Sequence, residues 1–414
     1  MSRNSGLVSI GDLESDGSIL AIQDGNHGEK HPKATDYVDD GIPFIMANNV
    51  TNNAVDVEKA AKLPPNLADS LRIGFAIAGD VLLTHKGTIG NTAVVDTELP
   101  YLMLTPQVTY YRTENNKLLN RYLMYAFQEP LFQKTMKSLA QQATRPYIGI
   151  TAQRNLKVRW MPIHEQRRVT SVLTIYDNLI ENNRRRIQLL EQAARLLYKE
   201  WFVHLRFPGH EHVKIKDGVP EGWEKKKISD ICETVGGGTP STKVPEYWEG
   251  DITWIVPSDV TKNDCLILLD SERKITEKGL RESSAKMVPA ETILMTSRAS
   301  VGYFALMDYE VCTNQGFINI IPYDVNARMW LLFNLMSRVE EIRSNAKGTT
   351  YPEISKGRFR DMDIIVPPDS LVNEFAEPAS HVIQQVRVLK QSILKLQQAR
   401  DLLLPRLMNG EVVV

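Results

Sequence analysis

Val81-Leu-Leu-Thr-His-Lys-Gly-Thr-Ile-Gly90 recurs later in the chain as Ile293-Leu-Met-Thr-Ser-Arg-Ala-Ser-Val-Gly302. Both stretches read three apolar residues, Thr, a variable residue, a basic one, a small one, a hydroxyl, an apolar residue and Gly. A short apolar run ending in a polar, Gly-bounded turn predicts a strand entering a loop. Its return roughly 210 residues on predicts two copies of one unit. Flanking blocks repeat in the same order. Gly41–Asn53 matches Asp251–Asn263, with Ile42/Ile252, Phe44/Trp254, Ile45/Ile255, Val50/Val260 and Thr51/Thr261 aligned. Gln107 pairs with Gln315, and Ala143-Thr-Arg-Pro-Tyr-Ile148 with Thr349-Thr-Tyr-Pro-Glu-Ile354.

A third doubled block has helical spacing. Leu173, Tyr176, Ile180, Asn183, Ile187, Leu190, Ala194, Leu197 and Trp201 recur at alternating steps of three and four. Ala379, Val382, Val386, Leu389, Ile393, Leu396, Arg400, Leu403 and Leu407 repeat the pattern at a constant offset. Such spacing predicts a coiled-coil seam. The expected seam residues are Ile180, Asn183, Ile187, Leu190, Leu197 and Trp201 on one helix, with Val386, Leu389, Ile393, Leu396 and Leu403 on the other. Asn183 and Arg400 interrupt it; each either fixes register or reaches water from a gap. Pro208-Gly209 and Asn409-Gly410 are the expected stops, and Pro378 predicts a kink or a start in the second helix.

Between these helices the chain reads as mixed α and β. Ala76–Val95 and Thr292–Leu306 are strand-like; Asn120–Met136 and Ala327–Ile342 have helical spacing. Four segments follow: 1–163 and 207–368 as globular domains, the latter with its linker, and 164–206 and 369–414 as long helices, the latter with its tail.

Composition narrows the class. Of 414 residues, 43% are hydrophobic and 24% charged, as in ordinary globular chains. No stretch approaches the ~20 apolar residues that span a bilayer, and Met1–Gly6 lacks a secretory pattern. Three cysteines without metal-ligand spacing predict free thiols in a reducing cytoplasm. A net charge of −1 argues against a strongly basic nucleic-acid binder. A local basic face, helped by a partner, still suffices for phosphate contacts.

In order and doubling, these blocks resemble the specificity subunits of type I restriction–modification systems. Trp160-Met-Pro-Ile-His-Glu-Gln-Arg-Arg168 looks like that family's entry to its first long helix, and Tyr198–Gly209 like the end of it. Val219-Pro-Glu-Gly-Trp-Glu224 looks like the entry to a second recognition domain; Asp24–Gly28 and Gly238–Ser241 look like its early loops. One departure is that Val366–Glu374 lacks the Glu-Gln pair of the first copy. The resemblance implies an α+β fold: two mixed α/β target-recognition domains with pseudo-two-fold symmetry, joined by two long antiparallel coiled-coil helices. It implies no catalysis by this chain. Double-stranded DNA would be bound, with modification (methyltransferase) and restriction (translocase/endonuclease) subunits as partners. S-adenosylmethionine, ATP and magnesium would belong to those partners. The faces near Glu165–Arg168 and Tyr198–Trp201 are the expected partner contacts.

Sequence readout needs forked donors and amides at base edges and cations on phosphates. In the first half the candidates are His27, Lys30, Asn49, Lys86, Thr88, Gln107, Arg145 and Tyr147. In the second they are Thr239, Ser241, Lys243, Ser258, Arg298, Ser300, Gln315, Thr349 and Tyr351. Each has a plainer reading. Lys86 and Arg298 can be ordinary surface charges, His27 a turn residue, and Gln107 and Gln315 ties for loop backbone. Arg184–Arg186 and Lys225–Lys227 read first as solvated or strand-flanking charge.

Three other functions compete with this one. An enzyme finds no support: there is no Walker A loop, Rossmann glycine fingerprint or G-x-S-x-G elbow. A bare coiled-coil scaffold leaves the doubled polar loops unexplained. A DNA-reading subunit of a related phage-defence system differs only in its effector. If the helices act as a ruler, a first helix from about Glu165 to Phe202 spans ~55 Å.

Overall fold

A computed structural model describes residues 6–28, 30–141, 147–348 and 352–412. The chain forms two compact units, Met1–Ile180 with Lys395–Val414, and Glu181–Leu394. These cut across the four consecutive segments expected, because each long helix gives residues to both units.

In the first unit, strands Ile19–Asp24, Val108–Thr113, Val81–Thr84 and Thr92–Val94 form an antiparallel sheet in that order. A second sheet orders Ala61–Leu63, Ile42–Ile45, Leu102–Leu104 and Phe75–Ala76, with the middle pair parallel. Side chains alternate across a strand, so one strand can serve two cores. Val81, Leu83 and Tyr111 pack with Tyr122, Phe127 and Phe132 of the helical layer. Leu82, Val108 and Tyr110 pack instead with Ile45, Leu102 and Leu104 of the second sheet. The first sheet is therefore a middle layer, which is why all four residues of Val81–Thr84 are buried.

The second unit repeats this order. Cys232–Gly236, Phe317–Pro322, Ile293–Thr296 and Phe304–Leu306 form one sheet. Arg273–Ile275, Trp248–Ile255, Val311–Thr313 and Met287–Val288 form the other, again with its middle pair parallel. Each unit also has a two-stranded ribbon leading to its long helix: Gly6–Ser9 with Lys157–Trp160, and Glu224–Lys227 with Asp363–Val366.

The expected helix Asn120–Met136 is two helices, Asn120–Gln128 and Pro130–Gln141. Pro130 forces Glu129 out of the helical region, to ψ 134°, and begins the second helix. Likewise Ala327–Ile342 divides into Arg328–Ser337 and Val339–Ser344.

The first long helix is Ile163–Tyr198, extended by a π turn at Lys199–Val203. The second is Asp369–Met408 and runs through Pro378 without starting there. Phe375, Ala379, Ile383 and Val386 are all buried on its inner face. Packing of that face holds a helical conformation that proline alone disfavours by about 3 kcal/mol.

Within each unit the two helices run antiparallel. In the first, Leu173 shares a core with Leu404, and Val169 with Leu407 and Met408. In the second, Asn183 Nδ2 donates to Ser392 Oγ at 3.3 Å, while Tyr198 and Trp201 meet Phe375 edge to face. Of the seam residues, Ile180, Ile187, Val386, Leu389 and Ile393 are buried. Asn183, Leu190, Leu197, Trp201, Leu396 and Leu403 are half-buried. Tyr198, Ile383 and Leu404, one residue from the expected seam positions, are buried more deeply.

Candidate DNA-reading surface

The doubled turn is the same structure twice. Gly87 and Ala299 both have left-handed backbones, at φ 79° and 60°, as do Gly90 and Gly302, at 93° and 84°. Thr84 Oγ1 accepts from the Asn91 amide at 2.9 Å, and Thr296 Oγ1 accepts from the Tyr303 amide at 3.0 Å. These bonds explain the shared Thr: it closes the turn that presents the basic residue. Lys86 bridges to Tyr147 and Arg298 to Glu353 in matching antiparallel pairs. Lys86, Thr88 and Arg298 are exposed, and Ser300 is half-buried.

A second loop lies at the end of each first-sheet edge strand. Gly25 donates its amide to Val108 O, and a Cβ there would meet Thr105 O at 2.0 Å. Gly237 is its counterpart, with Asn314 O at 1.9 Å. The next amides, Asn26 and Gly238, donate to Leu104 O and Thr313 O. Only glycine permits this approach, and it places His27 and Thr239 at equivalent positions. His27 and Lys30 are exposed; His27 Nδ1 lies 2.9 Å from Gly25 O. Thr239 is half-buried and its hydroxyl donates to Gln315 Oε1. Ser241 and Lys243 are exposed, and Ser258 is half-buried in the short helix Pro257–Thr261.

Three expectations need correction or fall outside the described residues. Asn49 is buried: its Oδ1 accepts from the Met46 amide at 3.0 Å, as Asp259 accepts from Val256 at 2.9 Å. It shapes a turn and presents nothing to a ligand. Gln107 and Gln315 are not equivalent, because strand register sets Val108 opposite Thr84 and Phe317 opposite Thr296. Gln107 therefore corresponds to Gly316. Its Oε1 accepts from the Ala47 amide at 3.0 Å, tying two loops together. Arg145, Thr349 and Tyr351 lie outside the described residues. Tyr147 is 45% exposed.

In the family-like motif Gln166 faces inward, whereas Arg167 and Arg168 are exposed. Gln166 is fully buried; its Oε1 accepts from Leu119 N at 2.9 Å and its Nε2 donates to Met161 O at 2.8 Å. It fastens the first long helix to its own unit. Its counterpart is Val372, also buried, so the missing Glu-Gln pair reflects a different internal joint. Tyr198 is buried among Phe202, Phe333 and Phe375, and Asn334 Nδ2 donates to its hydroxyl at 2.9 Å. Neither side chain is available to a partner. In the second unit, Glu191 is buried in the helix pair and accepts from Leu266 N at 2.6 Å. Burial raises its pKa, and that amide opposes the shift.

What sequence reading missed lies beneath the first unit's loops: Asp24, His85, Thr109, Tyr111 and Gln153 are buried together. The available signal was divergence within the repeat, such as His85 opposite Ser297.

The model for the type I restriction modification DNA specificity domain matches this chain twice, over residues 17–192 and 220–398. The chain belongs to that family. This specificity chain is 22% identical over 441 residues to the HindI specificity subunit of Haemophilus influenzae, covering 90% of this chain and 94% of that one. It is 42% identical over 151 residues to the MjaIX specificity subunit of Methanocaldococcus jannaschii, a match spanning 36% of this chain and only 35% of that protein. The fold resembles the crystal structure of a type I restriction-modification S subunit from M. genitalium, with a TM-score of 0.56 and 14% identity. That likeness covers 98% of this chain and 96% of the other. Among the described residues no helix is long and apolar enough to cross a membrane.

Proposed function

We propose that this specificity chain reads a split, asymmetric double-stranded DNA sequence, one half per unit. It directs adenine methylation by modification subunits and translocation or cleavage by restriction subunits. The observation that carries the reading is the duplicated turn, which exposes Lys86 in one unit and Arg298 in the other on the same backbone. Cations on such turns suit phosphate or guanine contacts, and the unlike neighbours His27 and Thr239 suit two different half-sites.

The chain itself carries out no chemistry in this reading. S-adenosylmethionine, ATP and magnesium are held by the partner subunits in the cytoplasm. A net charge of −1 fits a reader that binds DNA strongly only within its complex.

The long helices would set the gap between the half-sites. Insertion of one heptad after the exposed Gln188 keeps the seam in phase and adds about 10 Å of helix. The gap in the methylated motif should then lengthen by about three base pairs, since pairs stack ~3.4 Å apart. An active insertion variant with an unchanged gap would contradict the reading.

A further inference from the structure

The two units support their reading loops by different chemistry. Asp24 opens the loop that carries His27 and Lys30; His85 opens the turn that carries Lys86 and Thr88. His85 is fully buried, and its Nε2 lies 3.6 Å from Asp24 Oδ1. Neither ring nitrogen has a well-formed hydrogen bond within 3.5 Å among the described residues. Thr109 Oγ1 donates to the same Asp24 oxygen. Gln153 Nε2 donates to Thr109 Oγ1 at 3.0 Å and to Ile148 O at 2.8 Å, and Tyr111 donates its hydroxyl to Gln153 Oε1.

The chain of contacts ends under the candidate reading residues. Tyr147 packs its ring against the His85 ring, centroids 5.3 Å apart. The His85 amide donates to Gln107 O at 2.9 Å, and its carbonyl accepts from Ile148 N at 3.2 Å. Burial lowers the His85 pKa; Asp24 and then the Ile148 backbone oppose that shift, while Lys86 and His27 add to it.

By strand register and helix offset, the counterparts in the second unit are Gly236, Ser297, Ile318, Ile320 and Phe359. This fold therefore accepts a different filling: Phe359 and Ile320 are fully buried in it, Ser297 is buried, and the Lys356 side chain lies where a Cβ on Gly236 would point. A buried carboxylate beside an incompletely bonded imidazole is the less stable choice.

Resting on the proposed reading of a split DNA site, we propose that the buried Asp24–His85 couple is a positioning device. It sets Lys86, His27 and Tyr147 for base discrimination at one half-site and has no effect on the other half. The split site supplies an internal control, because a general loss of folding would affect both halves.

The test replaces the chain in its native host with Asp24→Asn, His85→Gln, Thr109→Val or Thr109→Ser. N6-methyladenine is then read at every genomic site that matches the motif or departs from it by one base. Methylation at departures in one half-site should rise about tenfold relative to wild type for the first three variants, within the range of a mismatch penalty. Departures in the other half should stay unmethylated, and Thr109→Ser should retain wild-type discrimination. Equal relaxation in both halves, or unchanged discrimination in all four variants, would overturn the proposal. So would loss of the Asp24→Asn and His85→Gln chains from the cell while Thr109→Val discriminates normally, which would assign the couple to folding.

Discussion

Arg400 Nη1 donates to Asp177 Oδ1 at 2.7 Å, joining the two long helices inside the first unit. Both side chains are largely buried, at 17% and 13% exposure. Asp177 also accepts from Tyr125 Oη at 2.5 Å and from Asn53 Nδ2 at 3.1 Å. The corresponding positions in the second unit are Ala194 and Ile383, both buried. A polar interruption of one seam thus corresponds to two buried apolar residues in its copy.

Removing Arg400 leaves a partly desolvated carboxylate short of its cation. Arg400→Ala should destabilise the first unit by about 3 kcal/mol, the lower end for a broken buried pair. Asp177→Ala should cost more, because it also strands Tyr125 and Asn53. Urea unfolding of the two single variants and the double variant measures the coupling. A coupling energy near zero would show that the pair contributes nothing.

Gln166 supports a second prediction. Gln166→Ala leaves the Leu119 amide and the Met161 carbonyl without their partner. The expected loss is about 2–3 kcal/mol, seen as a lower midpoint in thermal unfolding. Val372→Ala, at the counterpart, removes only apolar contact and should cost about 1–3 kcal/mol.

Arg298 is exposed, and its pairing with Glu353 is long, at 3.7 Å, so it adds little stability. Arg298→Ala should leave unfolding within about 0.5 kcal/mol of wild type. Recognition of one half-site should weaken by about 1–3 kcal/mol, with the other still read. Equal loss at both halves would assign the effect to assembly.

Gly237 supports a structural prediction. A Cβ would lie 1.9 Å from Asn314 O, a backbone atom that cannot step aside. Gly237→Ala should therefore displace the loop bearing Thr239 and Ser241 and destabilise the second unit by about 2 kcal/mol or more. Circular dichroism melting checks the stability, and half-site discrimination checks the loop.

Much of this was legible in the sequence. The doubled blocks located the buried strands Val81–Thr84 and Ile293–Thr296 and the turns behind them. The three-four spacing located both long helices. The failures have particular causes. Gln107 and Gln315 align by letter, but strand pairing shifts them by one residue. Asn49 is a DNA-contact candidate by residue type, but its hydrogen bonds to Met46 and Asp56 hold it inside a turn. Pro378 suggested a kink or a start, and the start fails because propensity is local, whereas the packing around Phe375 and Ala379 is not. The Asp24–His85 couple was hidden because repeat matching rewards likeness, and this feature is a difference.

In the proposed function the chain selects a split DNA motif for methylation. The most direct measurement maps N6-methyladenine across the native host genome with the gene present and deleted. The expected result is one asymmetric two-part motif that is methylated only when the gene is present. An expressed chain, together with its methyltransferase partner, that leaves every methylated motif unchanged on deletion would contradict it.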